Sequence, residues 1–151
     1  ASNPTHQYDQ GIHVHANGTG AVLHLTDGTS GSGTGDGFDI ISHAGSAYLW
    51  QRENSNMIFG TSGTSRWNIY GSNGHLAPSA DNTYDIGTTS VRVRNLYVND
   101  LQLSNKAKKD EGGNDVDGTW GDWTLQEGES DVYMINNRSG KKFRIKLEEV
   151  S

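Results

Sequence analysis

The sequence contains no cysteine, which excludes disulfide bridges, thiol catalysis and thiolate-bound metals. No run approaches the roughly 18 apolar residues that cross a membrane, so we expect no membrane insertion. The net charge of −6 argues against a nucleic-acid partner, because phosphate contacts need a basic surface. Nucleophile-elbow, phosphate-loop and His-Glu-x-x-His motifs are also missing, and we therefore expect no enzymatic activity.

Hydrophobic side chains are scarce as well, at 32% of the chain, whereas Gly, Ser, Thr and Asn supply 60 of the 151 residues. Glycines interrupt nearly every window long enough for an amphipathic helix. Four Trp, six Tyr and three Phe are nevertheless too many aromatic residues for a disordered chain. This composition predicts an all-β fold of short strands joined by Gly-rich turns.

Ten short segments have the β-branched and aromatic composition of strands and are bounded by Gly, Asn, Asp or Ser. The predicted strands are 12–15, 21–25, 38–42, 47–52, 56–60, 66–70, 91–98, 123–127, 131–136 and 142–147. Asn-Gly and Asp-Gly pairs between the segments predict tight type I′ turns. The segment 137–140 predicts a longer turn that joins the last two strands into a hairpin.

Charge divides the chain unevenly: residues 1–91 carry 2 basic and 7 acidic side chains, whereas 92–151 carry 10 and 11. A charged run followed by Gly, Asn and Asp occupies 104–118 and predicts a domain boundary. We therefore expect a shaft-like region over 1–103 and a small C-terminal β tip domain over 104–151. The first residue is Ala1 rather than Met, as expected of a processed or shortened chain.

Short strands with one apolar face do not easily close a core in a monomer, and they expose strand edges. The average domain is roughly 45–50% apolar when glycine is counted, and this chain has less. Pooling apolar strips around a symmetry axis solves both problems. The sequence therefore predicts a homo-oligomer.

Two histidines at 13 and 15 form the sharpest local motif. Residues two apart in a strand point to the same face, so a strand over 12–15 would project His13 and His15 together. Two imidazoles make a poor metal site, but three chains around a threefold axis would supply six nitrogen ligands, which suit iron. The alternative is a chance pair on a solvated strand face. His24 alternates with apolar neighbours in its predicted strand, so we expect its side chain at the surface.

Trp120, Asp122 and Trp123 form the candidate receptor-binding group. Sugar-binding surfaces place aromatic rings beside carboxylates, because sugar CH groups stack on the ring while polar groups bond the hydroxyls. Core packing of at least one of the two tryptophans is the alternative. The nearby segment 112–118 departs from the calcium-loop pattern at Gly113 and Thr124, so we interpret it as a solvated acidic turn.

Three stretches resemble proteins of tailed bacteriophages. The Gly-rich segment 31–70 and the Pro-Ser-Ala-Asp-Asn-Thr-Tyr-Asp-Ile-Gly motif at 78–87, followed by Arg-Asn-Leu-Tyr-Val at 94–98, resemble segments of tail fibres and tailspikes. The Asn-Asp-Val-Asp-Gly-Thr-Trp-Gly-Asp-Trp motif at 114–123 is similar to the ends of virion proteins from marine and cyanobacterial phages. Together the stretches cover most of the chain, and the motif at 78–87 is the most specific of them.

The resemblance implies an intertwined homotrimeric β fibre in the phage tail, outside any cell. Such fibres bind host cell-surface glycans or outer-membrane receptors and contact other virion tail proteins. Some hold iron on the trimer axis through His-x-His pairs, which His13 and His15 match. A self-cleaving chaperone domain often follows the motif at 78–87, but nothing after Val98 resembles one.

Three other functions fit the same features. The first is a tailspike that degrades surface polysaccharide through paired carboxylates. The second is a purely architectural virion protein of a baseplate or capsid decoration. A trimeric bacterial adhesin is the third.

Overall fold

The computed structural model describes residues 11–150, and strands make up 36% of them. One short 3₁₀ turn accompanies the strands, and no α-helix occurs in this range. The predicted all-β class is therefore confirmed. The chain divides into two compact units between Ser79 and Ala80. No helix within residues 11–150 has the length and apolar character needed to cross a membrane.

The first sheet is an antiparallel meander of β1 (Gly20–Leu25), β2 (Phe38–His43) and β3 (Ser46–Gln51). A two-residue turn joins β2 to β3, with φ of 47° at Ala44 and 83° at Gly45. Positive φ at both central positions is what a type I′ turn requires, and its twist matches that of the strands.

A second meander in the same unit contains β4 (Met57–Thr61), β5 (Thr64–Ile69) and β6 (Leu76–Pro78). The hairpin of β4 and β5 also has a two-residue turn, with φ of 53° at Ser62 and 68° at Gly63. The ladder between β4 and β5 shifts register at Phe59 and Gly60.

The second unit contains one four-stranded meander. Its elements are β7 (Asp100–Ser104), the 3₁₀ turn Lys106–Lys108, β8 (Asp122–Glu127), β9 (Val132–Asn136) and β10 (Lys142–Arg144). The strands lie in sequence order and pair antiparallel. The predicted hairpin around 137–140 is confirmed: the Asn136 side-chain oxygen accepts hydrogen bonds from the backbone N–H groups of Arg138 and Ser139, both at 3.0 Å.

Side chains alternate along the strands, so each sheet has one predominantly apolar face. The opposite face of the first sheet carries Val22, Ile41, Tyr48 and Trp50 beside its charged residues. Cross-strand partners share a face, and the registers therefore identify the members of each apolar face. On the first sheet they are Leu23, Leu25, Phe38, Ile40 and Leu49. On the second they are Met57, Phe59, Trp67, Ile69, Leu76 and Pro78. On the C-terminal sheet they are Leu101, Leu103, Trp123, Leu125, Met134 and Phe143.

These apolar faces lack cover within a single chain. Between residues 11 and 150 no hydrophobic side chain is buried, and the buried side chains are those of Asp39, Asn68 and Thr124. Leu25, Phe59 and Phe143, one on each apolar face, are 50%, 42% and 48% exposed. A single chain therefore leaves unburied the apolar surface that would ordinarily form its core.

Two predicted strands, 12–15 and 91–98, are wrong. Both segments have strand-like composition, but neither has a ladder partner among the described residues. In the second, Thr88 N–H donates to the Val91 carbonyl at 2.6 Å, and this tight loop replaces extended pairing. The strands β6 and β7 were not among the predicted segments. Strand composition is a weak guide where cross-strand contacts decide the structure.

The Asn-Gly and Asp-Gly pairs do not form the tight two-residue turns that we predicted for them. The two-residue turns with positive φ are Ala44-Gly45 and Ser62-Gly63. The Asn-Gly and Asp-Gly pairs lie in longer loops or before β1. Glycine at the second position is shared by both kinds of turn, and it is the element of the pattern that the structure retains.

The predicted shaft over 1–103 and tip over 104–151 remain a prediction. Strand β7 spans the predicted boundary and pairs with β8, so residues 100–103 belong to the C-terminal sheet. Residues 1–10 of the predicted shaft and residue 151 of the predicted tip lie outside the described range.

Candidate functional site

A cluster of three charged side chains lies on the first sheet, on the face opposite its apolar side. The register pairs His24 of β1 with Asp39 of β2, which places both side chains on this face. Arg52 directly follows β3 and continues the alternation of Tyr48 and Trp50. We call these three residues, His24, Asp39 and Arg52, the ionic cluster.

Asp39 is the centre of the ionic cluster and is only 2% exposed. Its Oδ1 accepts a hydrogen bond from His24 Nδ1 at 2.5 Å. Its Oδ2 accepts from Arg52 Nε at 2.8 Å and from Arg52 Nη2 at 2.7 Å. A buried carboxylate is tolerated when it is paired and hydrogen-bonded, and here both oxygens meet cationic donors.

The pKa values of the cluster shift so as to keep both partners charged. The hydrogen bond to Asp39 raises the pKa of His24 above its ordinary value of 6.5. Hydrogen bonds from His24 and Arg52 lower the pKa of Asp39 below its ordinary value of 3.8, against the effect of desolvation. The shifts of both pKa values therefore favour the ion-paired forms of the contacts that Asp39 makes with His24 and Arg52.

The Gly-rich loop between β1 and β2 closes one side of the cluster. The carbonyl oxygen of Gly33 lies 3.3 Å from His24 Nε2 and accepts a hydrogen bond from it when the ring is charged. Gly37 ends the loop with φ of 75°, and a Cβ there would lie 2.1 Å from the Leu25 carbonyl oxygen. Only glycine fits this close approach, because other residues rarely adopt such a φ and would also clash.

Two adjoining depressions open on this face. One, of about 420 Å³, is lined by all three members of the ionic cluster together with Val22, Thr34 and Ile41. The other, of about 330 Å³, is lined by Ile41, His43, Tyr48, Trp50 and Arg52. Ile41 and Arg52 line both, and the depressions are therefore neighbours. Their volumes fall within the range typical of ligand sites, roughly 300–1,000 Å³.

Arg52 also contacts an aromatic pair. Its guanidinium carbon lies 5.2 Å from the centre of the Trp50 ring, within cation–π range. The Trp50 ring lies 6.0 Å from that of Tyr48, at an interplanar angle of 53°. Trp50 is 47% exposed, so its ring is accessible to a ligand.

The predicted metal ligands His13 and His15 lie before β1, in a segment without regular secondary structure. Their ring centres are 5.9 Å apart and the rings are tilted by 53°. The structure therefore brings these two imidazoles together within one chain. No group of three or more His, Cys, Asp or Glu side chains that could hold a metal occurs in the range 11–150. Further ligands would have to come from other copies, and the iron site stays a prediction.

The predicted receptor-binding residues occupy three different environments. The guanidinium of Arg138 lies 4.0 Å above the Trp120 ring, and its Nη1 donates to the Trp120 carbonyl at 2.8 Å. Trp123 lies on the apolar face of the C-terminal sheet, 5.6 Å from the Phe143 ring. Asp122 accepts a hydrogen bond from Asn137 Nδ2 at 2.9 Å. Because Asp122 and Trp123 are neighbours in β8, their side chains point to opposite faces.

The acidic turn after the 3₁₀ segment is organised by its own side chains. Asn114 Oδ1 accepts from the N–H groups of Val116 and Asp117, at 2.8 and 3.1 Å. Asp117 Oδ1 accepts from the Thr119 hydroxyl at 2.8 Å and from its N–H at 3.0 Å. These bonds lower the pKa of Asp117. The interpretation as an acidic turn agrees with this arrangement, since the carboxylate bonds the turn itself.

Sequence reasoning missed the ionic cluster. The predicted surface position of His24 is confirmed, but its bond to the buried carboxylate of Asp39 was not predicted. The available signal was Asp39 itself, a charged residue within the apolar segment 38–41. Its partners could not be identified from the sequence, because they depend on a strand register set across a twelve-residue loop.

Comparison with known proteins adds no assignment to this geometry: no family model matches the chain, and no curated protein or solved structure matches it significantly.

Proposed function

We propose that this chain is a trimeric structural protein of a bacteriophage tail fibre or tailspike and attaches the virion to host cell-surface glycans. The sequence motifs at 31–70, 78–87 and 114–123 support the assignment to phage tails. The observation that carries the oligomer is the set of three uncovered apolar sheet faces, without a buried hydrophobic side chain in residues 11–150.

The occupant of the apolar faces is other copies of the same chain. Each of the three sheets exposes large side chains on its apolar face, among them Leu49 at 56%, Leu76 at 61% and Leu103 at 44%. A threefold axis is the arrangement that the resemblance implies, and in it the strand edges also find partners in neighbouring chains.

The pair His13 and His15 fits the same assembly. Three copies around an axis bring six imidazoles together, and the short distance between the two rings in one chain supports a shared site. Neutral imidazole nitrogens suit iron and other first-row metals. Iron analysis of the purified trimer and of the double variant His13→Ala/His15→Ala tests this part separately.

The absolute mass in solution tests the assembly. We expect light scattering after gel filtration to give about 49 kDa, three times the chain mass of 16.4 kDa. A mass near 16.4 kDa would refute the trimer, the axial metal site and the multivalent attachment together.

Adsorption to host cells tests attachment. A trimer adds weak single contacts through high effective concentration, so trimers should bind cells much more tightly than single sites would. The variant Trp120→Ala tests the predicted receptor surface. Trp123→Ala removes a ring from the apolar face that the proposed trimer covers, so its solution mass is measured beside its adsorption. If both variants remain trimeric and adsorb as well as the parent, the receptor surface lies elsewhere on the molecule.

A further inference from the structure

The face of the first sheet that carries the ionic cluster differs from every apolar face of the molecule. It combines buried charge, an exposed indole and two adjoining depressions. Because burying charged groups at a subunit contact is costly, the proposed trimer uses the uncharged face of the sheet for assembly and leaves this mixed face toward solvent. It is a candidate for ligand contact.

Arg52 has an unused edge. Its Nε and Nη2 groups bond Asp39 Oδ2, which occupies the side of the guanidinium nearest the chain. Within residues 11–150 no hydrogen bond holds Nη1, and the side chain is 31% exposed. The Nη1–Nη2 edge therefore offers two parallel N–H donors. A guanidinium fork of this geometry matches a carboxylate, which it binds through two hydrogen bonds.

The cluster holds this edge in place before a ligand arrives. Asp39 and the Trp50 ring fix the guanidinium from two sides, so little side-chain freedom is left to lose on binding. The carboxylate of Asp39 is fully engaged by His24 and Arg52 and is shielded from a second anion. The free donor edge of Arg52 is thus the group of the cluster that an incoming carboxylate meets.

Trp50 and Tyr48 supply the second half of the site. Their rings line the depression that Arg52 shares, within about a sugar ring's length of the guanidinium. Exposed aromatic faces beside a few fixed polar groups are typical of ligand sites. A sugar ring can stack here through its CH groups while its carboxylate meets Arg52.

We propose that this face binds a carboxylate-bearing sugar, with the free edge of Arg52 holding the carboxylate and the Trp50 ring stacking on the pyranose. The inference rests on the proposed glycan attachment and names the class of glycan. The receptor of the fibre is then an acidic polysaccharide that contains uronic-acid residues.

Calorimetric titration of the whole protein tests the proposal. The probes are oligosaccharides of mannuronate, galacturonate and hyaluronan, each beside a neutral oligosaccharide of the same length. We expect at least one uronate probe to bind roughly tenfold or more tightly than its neutral counterpart. Its affinity should weaken as NaCl increases, because salt screens an exposed ionic contact.

Two variants locate the contact. Arg52→Gln should weaken uronate binding at least tenfold, and Arg52→Lys should restore it only in part, since lysine lacks the fork. Arg144→Gln is the matched control: it removes one exposed positive charge from the C-terminal sheet and should change nothing. Trp50→Leu removes the stacking ring but keeps the contacts between Arg52 and Asp39. It should weaken binding of the same probe, so the test remains valid if Arg52→Gln fails to fold.

Four results would overturn the proposal. They are equal binding of uronate and neutral probes, no binding of any probe, unchanged binding by folded Arg52→Gln, and loss of the trimer in Arg52→Gln, which would place this face at a subunit contact. Cell adsorption by a protein that binds no uronate would leave the attachment function standing alone. Uronate binding by a protein that does not adsorb to cells would leave the uronate site standing and contradict the attachment function.

Discussion

The first sheet, β1–β3, and the C-terminal sheet, β7–β10, share one construction and differ on one face. Both are antiparallel meanders with an uncovered apolar side. On the other side, the first sheet buries Asp39 between two cationic side chains. The C-terminal sheet buries Thr124, whose hydroxyl bonds the neutral Gln102 and Asn137 side chains at 2.8 and 3.3 Å.

The difference separates two uses of a polar sheet face. The C-terminal network links the Thr124 hydroxyl and the Gln102 and Asn137 amides to the Asp122 carboxylate, and it contains no cationic side chain. The ionic cluster of the first sheet contains Arg52, whose guanidinium keeps an unused donor edge. The shared apolar faces are therefore expected to serve assembly in both sheets, and the charged face of the first sheet is expected to serve recognition.

The largest expected effect tests what the two sheets share. Ile40→Asp and Leu125→Asp each put a carboxylate on an apolar face, where its desolvation costs several kcal/mol if another chain covers it. We expect both to lower the solution mass from about 49 kDa toward the chain mass of 16.4 kDa. Ile40→Val is the control and should stay trimeric. A trimeric Leu125→Asp would show that only the first sheet lies at a subunit contact.

Backbone strain should affect both units alike. Gly37→Ala and Gly113→Ala place a Cβ 2.1 and 2.4 Å from carbonyl oxygens, at φ of 75° and 70°. We expect each to lower the free energy of unfolding by about 1–3 kcal/mol, as measured by urea denaturation. Gly28→Ala, which has open space and no positive φ, should change it by less than about 0.5 kcal/mol. Equal values for all three would contradict the close approaches.

Removing one carboxylate charge from each sheet should sharpen the difference between them. Asp39→Asn leaves two cations facing an amide, whereas Asp122→Asn alters one exposed hydrogen bond to Asn137. We expect a fall of several degrees in Tm for the first variant and a much smaller change for the second. Differential scanning calorimetry measures both, and a larger effect at Asp122 would refute the contrast.

The smallest expected effect is a pH dependence of the first sheet that combines one raised and one lowered pKa. The raised pKa of His24 means that its stabilising contribution is complete below 6.5 and is lost as pH rises through the folded value. The lowered pKa of Asp39 means that its contribution is present above 3.8 and is lost as pH falls through the folded value. The cluster should therefore stabilise the sheet most between 3.8 and 6.5.

Thermal melts at a series of pH values check this window. His24→Gln should abolish the part of the stability loss that occurs above 6.5, whereas His75→Gln, at an exposed loop position, should leave it unchanged. An identical pH profile in the parent and in His24→Gln would show that the His24–Asp39 bond contributes nothing to stability.

Much of the fold was predictable from local pattern. Short segments rich in β-branched and aromatic residues became eight of the strands, because alternating side chains suit a half-covered sheet. The segments 12–15 and 91–98 have the same composition but no ladder partner among the described residues. The site was less accessible, since His24, Asp39 and Arg52 are separated by up to 28 positions and meet only through the strand register.

The sequence by itself determined the all-β class, the hairpin at 137–140 and the scarcity of apolar residues that favours assembly, because these depend on composition and near neighbours. Only the tertiary structure decided which side chains share a face. It joined Asp39 to His24 and Arg52, and it separated Asp122 from Trp123. The physical reason is the twofold alternation of a strand: a shift of one residue in pairing moves every side chain to the opposite face.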